Sequence, residues 1–281
     1  MVFSSKTLCT MPFTPEQKEE YAQRAKTDGV RPAGDGTFGM LPKEVRALTD
    51  LSRTEIEWMT HMSDQGLQDR GYTTVLDACS GDGAASYLLY CELAKRIYPR
   101  RLLVLYAELQ TELRDKLADL FRQNPRNYAA LSIGWNFLNV HTKTMIPWQI
   151  HGAYIRYGLH WLTDAYEQFL TTVGTQMHRG GVMYIDTITP YNCLFIGDKN
   201  NQVVSESFQS VRTALKGNDF ISHPSRWGGE NRGGFTDKFF QRVLPSAGFD
   251  TKAINLYRNH VYRHNLGDKF AENIEVLARK R

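Results

Sequence analysis

Apolar residues along the chain fall into short extended runs separated by stretches of helical period. This is the alternation expected of an α/β protein built on a parallel sheet. The run at 72–77 (Tyr-Thr-Thr-Val-Leu-Asp) is β-branched and apolar enough to be a strand covered on both faces. A second strand is predicted at 102–108, an irregular third within 128–140, a fourth with its exit over 150–161, and a fifth at 182–186. Helical periodicity fills the intervals at 84–97 and 165–177, and Gly180-Gly181 predicts a left-handed helix end before the fifth strand. An amphipathic helix is predicted from Phe235, with Thr236 as its cap and Gly248 as its stop. Strands at 251–258 and 273–279 close the pattern.

Residues 1–65 have a different character and read as an N-terminal helical cap segment on a domain spanning 66–281. Thr14-Pro15-Glu16 signals a helix start, with Thr14 as the cap and Pro15 at the first helical position, and the helix runs to about Lys26. A glycine-rich loop follows at 27–39. Helical spacing resumes over 40–66 through Leu48, Leu51, Ile56, Trp58 and Met59, with Asp50 or Ser52 as the cap. The stretch either covers a ligand cleft or simply packs on the sheet. Residues 192–234 are polar and glycine-rich, with a helical stretch near 205–216. They read as an insertion after the fifth strand, a place where long loops carry function.

The chemistry concentrates in Val75-Leu76-Asp77-Ala78-Cys79-Ser80-Gly81-Asp82-Gly83. An apolar strand ends in an acid and passes through a glycine-rich turn into a helix N-terminus, where α/β proteins bind nucleotide-like ligands. The dinucleotide fingerprint is excluded, because its third glycine would fall at position 86, where the chain has Ser86. Glu108 ends the next strand, 25 residues beyond Gly83, where a carboxylate can accept two hydrogen bonds from ribose hydroxyls.

Composition narrows the setting. Apolar residues make up 42 % of the 281, enough for a sizeable core. No run approaches the roughly 20 apolar residues of a membrane span. Cys9, Cys79, Cys91 and Cys193 show no paired C-x-x-C spacing. Free thiols in a reducing, cytoplasmic setting are therefore expected, with no metal site. The net charge of +4 permits an anionic partner without requiring one.

The acid-x-small-x-Gly-x-Gly spacing over 77–83, with Glu108 beyond it, resembles motif I of the class I S-adenosylmethionine-dependent methyltransferases. So do the Leu159-His160-Trp161 strand exit, the helix after it, the Gly180-Gly181 turn and the Ala247-Gly248-Phe249 lead into the last strand pair. The resemblance spans about 66–281. It implies a seven-stranded, mostly parallel Rossmann-like sheet with helices on both faces and one antiparallel strand near the C-terminus. It also implies S-adenosylmethionine as cofactor, held by Asp77, Cys79, Ser80, Gly81, Gly83, Glu108 and Leu109. The family's aspartate after the third strand is absent. Asn136 is the candidate to meet the adenine amine. Cys79 stands where a glycine is usual.

Methyl transfer asks the protein for proximity, alignment and, for some acceptors, a base. His160 is the first candidate base, because a histidine titrates near neutrality, and Tyr157 is a candidate to cradle the sulfonium. Trp161, Tyr191, Arg226 and Trp227 are candidate acceptor contacts. The Asn/Asp-Pro-Pro-Tyr signature of amino-directed enzymes is missing after the fourth strand, as is the aspartate of the ribose 2′-O tetrad. A small-molecule acceptor methylated on oxygen or nitrogen is the leading expectation. A guanine-N7 mRNA cap enzyme is the alternative, supported by the similar strand-five region but not by any dense Lys/Arg stripe. A catalytically silent methyltransferase-like subunit is the third.

Overall fold

In a computed structural model of the chain, the described residues are 9–11, 48–65, 71–81, 83–108, 128–133, 149–162, 165–190, 218–224, 231–250, 255–259 and 273–281. The strands are β1 Cys9–Met11, β2 Tyr72–Ala78, β3 Arg101–Ala107, β4 Tyr128–Ile133, β5 Ile150–Arg156, β6 Met177–Ile188, β7 Phe220–Pro224, β8 Asn231–Phe235, β9 Asn255–Asn259 and β10 Asn273–Arg279. The helices are α1 Arg53–Asp64, α2 Tyr87–Arg96, α3 Tyr166–Gln176 and α4 Asp237–Ser246. Eight strands form one sheet in the order β1-β4-β3-β2-β5-β6-β10-β9, and β7 and β8 form a separate antiparallel hairpin.

From β2 the chain builds outward through β3 and β4, then returns to place β5 on the other side of β2. The order reverses between β2 and β5, and a crevice opens beyond the carboxyl ends of those strands. β10 runs antiparallel to both β6 and β9, as the resemblance implied. The expected seven strands are present. An eighth, the three-residue β1, extends the edge alongside β4.

Alternating side chains divide the interior into two layers. Val75, Val104, Tyr106, Tyr154 and Tyr184 face α1 and α2. Leu76, Leu105, Ile155, Met183, Ile185 and Val276 face α3 and α4. α1 begins with a reciprocal capping box: the Ser52 hydroxyl accepts from the Glu55 amide at 3.1 Å, and the Glu55 carboxylate accepts from the Ser52 amide at 2.7 Å. Of the two predicted caps it is therefore Ser52 that acts, and such a cap contributes about 1 kcal/mol. Further along α1, the Trp58 indole donates to the Val182 carbonyl at 3.1 Å. Met62 lies so close to Gly152 that a Cβ there would sit 2.5 Å from its sulfur. The N-terminus of α1 is thus at the carboxyl edge of the sheet, where Thr54 donates to Glu275 at 2.6 Å and Tyr154 to Glu55 at 2.5 Å.

Several sequence expectations need correcting. Gly180-Gly181 does not end α3. The backbone turns extended at Met177, and the two glycines lie inside β6, where the pairing with β5 shifts register between Ile150 and Gly152. Gly180 takes φ +83 there, and a Cβ on Gly181 would meet the His151 carbonyl at 2.8 Å. This is the signature of a bulge rather than a helix stop. α2 starts at Tyr87, three residues later than the periodicity suggested, because Ser86 turns its hydroxyl to Asp77. β5 stops at Arg156, because Tyr157 takes the left-handed region at φ +53 and Leu159–Trp161 form a 3-10 turn. Thr236 precedes α4 as expected, but its hydroxyl donates to the Asp219 carbonyl at 2.6 Å instead of capping. Gly248, at φ +86, does end that helix. The polar stretch expected at 192–234 includes the β7–β8 hairpin. The helices predicted at 14–26 and 205–216 lie outside the described residues. No helix among the described residues is long and apolar enough to cross a membrane.

Candidate functional site

β2 delivers Asp77 to the reversal point, and the chain then turns through three residues with positive φ: Cys79 at +56, Gly81 at +59 and Gly83 at +74. A non-glycine residue in this region carries a conformational cost of about 1–2 kcal/mol, and Cys79 is held there by its surroundings. Gly158, from the exit of β5, approaches so closely that a Cβ on it would lie 2.5 Å from the Cys79 Cβ. Burial pushes the Cys79 thiol well above its ordinary range, so it is a neutral filler and not a nucleophile. Gly81 is different, since a Cβ there would meet nothing within 4 Å. Its turn borders open space, which is what a ligand cradle requires.

Two hydrogen bonds tie this loop to the tip of β3. The Ser80 amide donates to the Ala107 carbonyl at 3.3 Å. The Gly81 amide donates to the Glu108 carboxylate at 2.9 Å. Glu108 is only 8 % exposed, so the acid at the second strand tip and the glycine loop form one unit. Asp77 lies deeper, at 2 % exposure, and accepts from the Ser86 hydroxyl at 2.6 Å. Burial, reinforced by the Glu108 charge, pushes its pKa up to about 7, against the pull of the Ser86 and Tyr90 hydroxyls and Arg156. Asp77 is therefore poised between its two forms near neutral pH.

The exit of β5 forms the opposite wall. The Tyr157 amide donates to the Asp186 carbonyl at 2.8 Å, and its hydroxyl is hydrogen-bonded to the Asn273 side chain. Its ring is covered by the Arg156 guanidinium 5.4 Å from the centroid. His160 is 3 % exposed and sits edge-on to Tyr157 at 6.5 Å. The strained backbone of Tyr157 is thus fixed from three sides, as is common at ligand clamps. The turn that carries His160 and Trp161 packs against β8. There Gly233 lies so close to the Tyr166 ring that a Cβ would be 2.7 Å from it. The hairpin is therefore seated beside the His160 turn.

The structure brings Asp77, Cys79, Ser80, Gly81, Gly83 and Glu108 together on one side of the crevice, with Tyr157, His160 and the backbone of Trp161 on the next strand exit. Leu109, Asn136, Tyr191, Arg226 and Trp227 lie outside the described residues. Sequence reasoning missed Ser86, Arg156, Asp186 and Asn273. Arg156 had a readable signal, a lone cation ending the otherwise apolar Ala-Tyr-Ile run. Asn273 had none. Among the described residues, no three His, Cys, Asp or Glu side chains converge as metal ligands would.

The donors and acceptors fit a nucleoside joined to an amino acid. The Glu108 carboxylate stands at the tip of β3, open space borders Gly81, and the Asp77 carboxylate lies behind. The Ser80 hydroxyl and the Arg156 Nη1 are among the buried polar atoms that make no hydrogen bond within the protein.

No family profile matches the sequence, and no curated protein matches it at the sequence level. Solved structures do match in fold. A SAM-dependent methyltransferase from Methanosarcina mazei is 13 % identical, with a TM-score of 0.54, covering 82 % of this chain and 98 % of that one. The 1,6-didemethyltoxoflavin-N1-methyltransferase of Burkholderia thailandensis is 16 % identical, with a TM-score of 0.51, covering 96 % of this chain and 92 % of that one. That structure holds 1,6-didemethyltoxoflavin and S-adenosylhomocysteine. The chain has the Rossmann-like fold of the class I S-adenosylmethionine-dependent methyltransferases, the superfamily its loop and strand exits resemble.

Proposed function

We propose that the protein is an S-adenosylmethionine-dependent methyltransferase acting on a small-molecule acceptor at oxygen or nitrogen. The observation that carries this reading is the positive-φ loop at the sheet's reversal point, joined at 2.9 Å to the carboxylate at the tip of the next strand. The cofactor, bound there, supplies an activated methyl group for in-line displacement. The protein's share is to hold and align. Glu108 accepts from the ribose hydroxyls, Gly81 and Gly83 admit the ligand to the backbone, and Ser80 offers its buried hydroxyl. Cys79 fills the turn, and Asp77 balances the ammonium of the amino-acid tail. Leu109 is a further proposed cofactor contact, and Asn136 is the proposed partner of the adenine amine.

On the acceptor side, Tyr157 lines the methyl path and His160 takes the proton when the acceptor must lose one. Trp161, Tyr191, Arg226 and Trp227 are the proposed acceptor contacts. The Burkholderia enzyme of the same fold is named for N1-methylation of 1,6-didemethyltoxoflavin, which is in line with a small-molecule acceptor.

Calorimetry of the intact chain with S-adenosylhomocysteine tests the reading. Binding is expected, with a loss of about 10- to 100-fold on Glu108→Ala as charge-assisted hydrogen bonds disappear. No binding by the unmodified chain overturns it. Methylation assays on a metabolite pool and on capped RNA test the acceptor. Activity confined to RNA and steeply inhibited by salt would replace the small-molecule assignment with the cap enzyme.

A further inference from the structure

The sequence carries no dense Lys/Arg stripe, but the fold assembles a row of arginines at the end of the sheet away from the crevice. β10 runs antiparallel to β6, so its last residues return to the edge at which β3 and β6 begin. Arg101 opens β3, Arg179 lies near the start of β6, Arg279 ends β10 and Arg281 follows it. All four are exposed. Neighbouring strands are about 4.8 Å apart, so the row from β3 across β2, β5 and β6 to β10 spans about 20 Å. Other cations at this edge are accounted for. Lys95 and Arg96 end α2, where a cation suits the helix dipole, and Glu92 meets them at 3.6 and 3.1 Å. The Arg100 guanidinium is occupied by the Gln65 and Ser63 carbonyls at 2.6 and 2.9 Å.

The four strand arginines have no such reason to be there. A strand end has little dipole to complement. Among the described residues, none of the four pairs with a carboxylate. Asp64, at the end of α1, and Asp250, whose amide donates to the Arg279 carbonyl at 2.8 Å, also lie at this edge, and neither forms an ion pair with them. Arg101 reaches only the Tyr72 hydroxyl, at 3.4 Å, and Arg281 the Phe249 carbonyl, at 2.9 Å. The Arg279 Nη2 would lie 3.8 Å from a Cβ on Gly180, beside the residue that follows Arg179. Cations gathered on neighbouring strands repel within the screening length of about 8–10 Å, so the row favours an anion that spans it. Tyr98 adds a second, independent observation. It lies between α2 and β3, shortly before Arg101, and at 74 % exposure it is the most exposed large hydrophobic among the described residues. A ring in open solvent beside a row of guanidiniums is the pairing that holds single-stranded nucleic acid: cations follow the phosphates, and the ring takes the face of a base. An acidic protein would engage the cations and leave the ring unused.

We propose that this edge binds the backbone of a single-stranded nucleic acid, without reading its sequence, at a site separate from the crevice. The inference is independent of the methyl-transfer reading. The crevice lies beyond the carboxyl ends of the parallel strands, and the arginine row lies at their amino ends. A strand held here docks the protein and leaves the crevice free.

Fluorescence anisotropy of the intact chain with a fluorescein-labelled, single-stranded oligonucleotide of mixed sequence tests the proposal. The logarithm of the affinity is expected to fall linearly with the logarithm of salt concentration, with a slope of about −0.7 for each phosphate contact. The double variant Arg179→Gln/Arg279→Gln removes two exposed charges. Its slope should be shallower by about 1.4, and its affinity at low salt at least about 10-fold lower. The slope does not depend on how much of a variant is folded, so it separates lost contacts from lost protein. Tyr98→Ala should lose about 10-fold with the slope unchanged, because stacking releases no counterion. The control Arg53→Gln/Lys238→Gln removes the same charge from the first turns of α1 and α4, whose far ends lie at the arginine edge, and should change neither quantity. An equal fall in the control would reduce the effect to net charge and overturn the proposal. Displacement of the strand by S-adenosylhomocysteine would place it in the crevice and overturn it too. Poly-L-glutamate competing as well as the unlabelled strand would make the partner an acidic protein, and no binding by the unmodified chain at low salt would leave the row a solvated edge; either result overturns the proposal.

Discussion

The two layers of the interior are built from different materials. The layer under α3 and α4 is hydrocarbon: Phe235, Phe239 and Phe240 meet at centroid distances of 4.8 and 5.2 Å, and Tyr166 stands edge-on to Phe235 at 4.8 Å. The layer under α1 and α2 stacks Tyr154 on Tyr184 at 5.0 Å and turns Tyr90 edge-on to Tyr106 at 5.8 Å. It also buries Glu55, Asp77, Glu275 and Asp186, with Arg156 3.7 Å from the Asp186 carboxylate. Charges leave water only when partners meet them. Tyrosines supply hydroxyls while still filling volume, and this is why the charged layer is also the tyrosine-rich one. The difference separates scaffold from chemistry: one layer holds the sheet together, and the other presents polar groups at the crevice.

That contrast can be broken by substitution. Phe239→Ala empties a site packed on all sides and should cost about 3–5 kcal/mol of stability in denaturant titration. S-adenosylhomocysteine affinity per folded molecule should stay unchanged, and a loss of affinity would show that the layers are not independent. Gly81→Val should do the reverse. It forces a β-branched residue to φ +59 and fills the open side of the loop, with affinity falling at least about 100-fold in calorimetry.

Asp77→Asn touches the boundary between the two behaviours. In the folded chain Asp77 holds its proton up to about pH 7, against an ordinary value of 3.8. Between those values the native state binds a proton that the unfolded state has released, so stability declines as pH rises through this window and levels off above it. The Asn variant should lose that decline and be more stable than the unmodified chain at pH 8, on the order of 1–3 kcal/mol. It should also lose the rise in S-adenosylhomocysteine affinity that ionisation of Asp77 produces through pH 7. Thermal melts and calorimetry across pH 5–8 check both. The smallest effect is expected for Cys79→Ala, which keeps the small side chain that Gly158 accommodates. Stability should change by less than about 1 kcal/mol and affinity by less than about threefold.

The parts legible from sequence were those fixed by local pattern. The strand into Asp77, the glycine turn and Glu108 are contiguous in the chain, and each residue type reports its own backbone or charge requirement. The order of strands followed from their alternation with helices. Gly180-Gly181 misled because a glycine pair marks a helix end and a bulge equally well, and only the pairing of β6 with β5 decides between them. β1 escaped notice because three residues in a polar segment carry no period; they are a strand only because β4 lies beside them. Asn273 and Asp186 act on residues 116 and 30 positions away, Tyr157 and Arg156, and no local pattern encodes such partners.

The antiparallel β10 has a consequence for how the chain reaches this state. It fills the slot between β6 and β9, so the hydrogen-bonding edge of Val182–Ile188 stays open until Asn273–Arg279 have been synthesised and threaded in. That edge is among the most apolar in the molecule, and until it is capped it offers a template to any other extended segment. β10 thus fills a slot one strand in from the sheet's edge by pairing with residues about 90 positions earlier, a long-range closure of the kind that slows folding and exposes unpaired strand edges meanwhile.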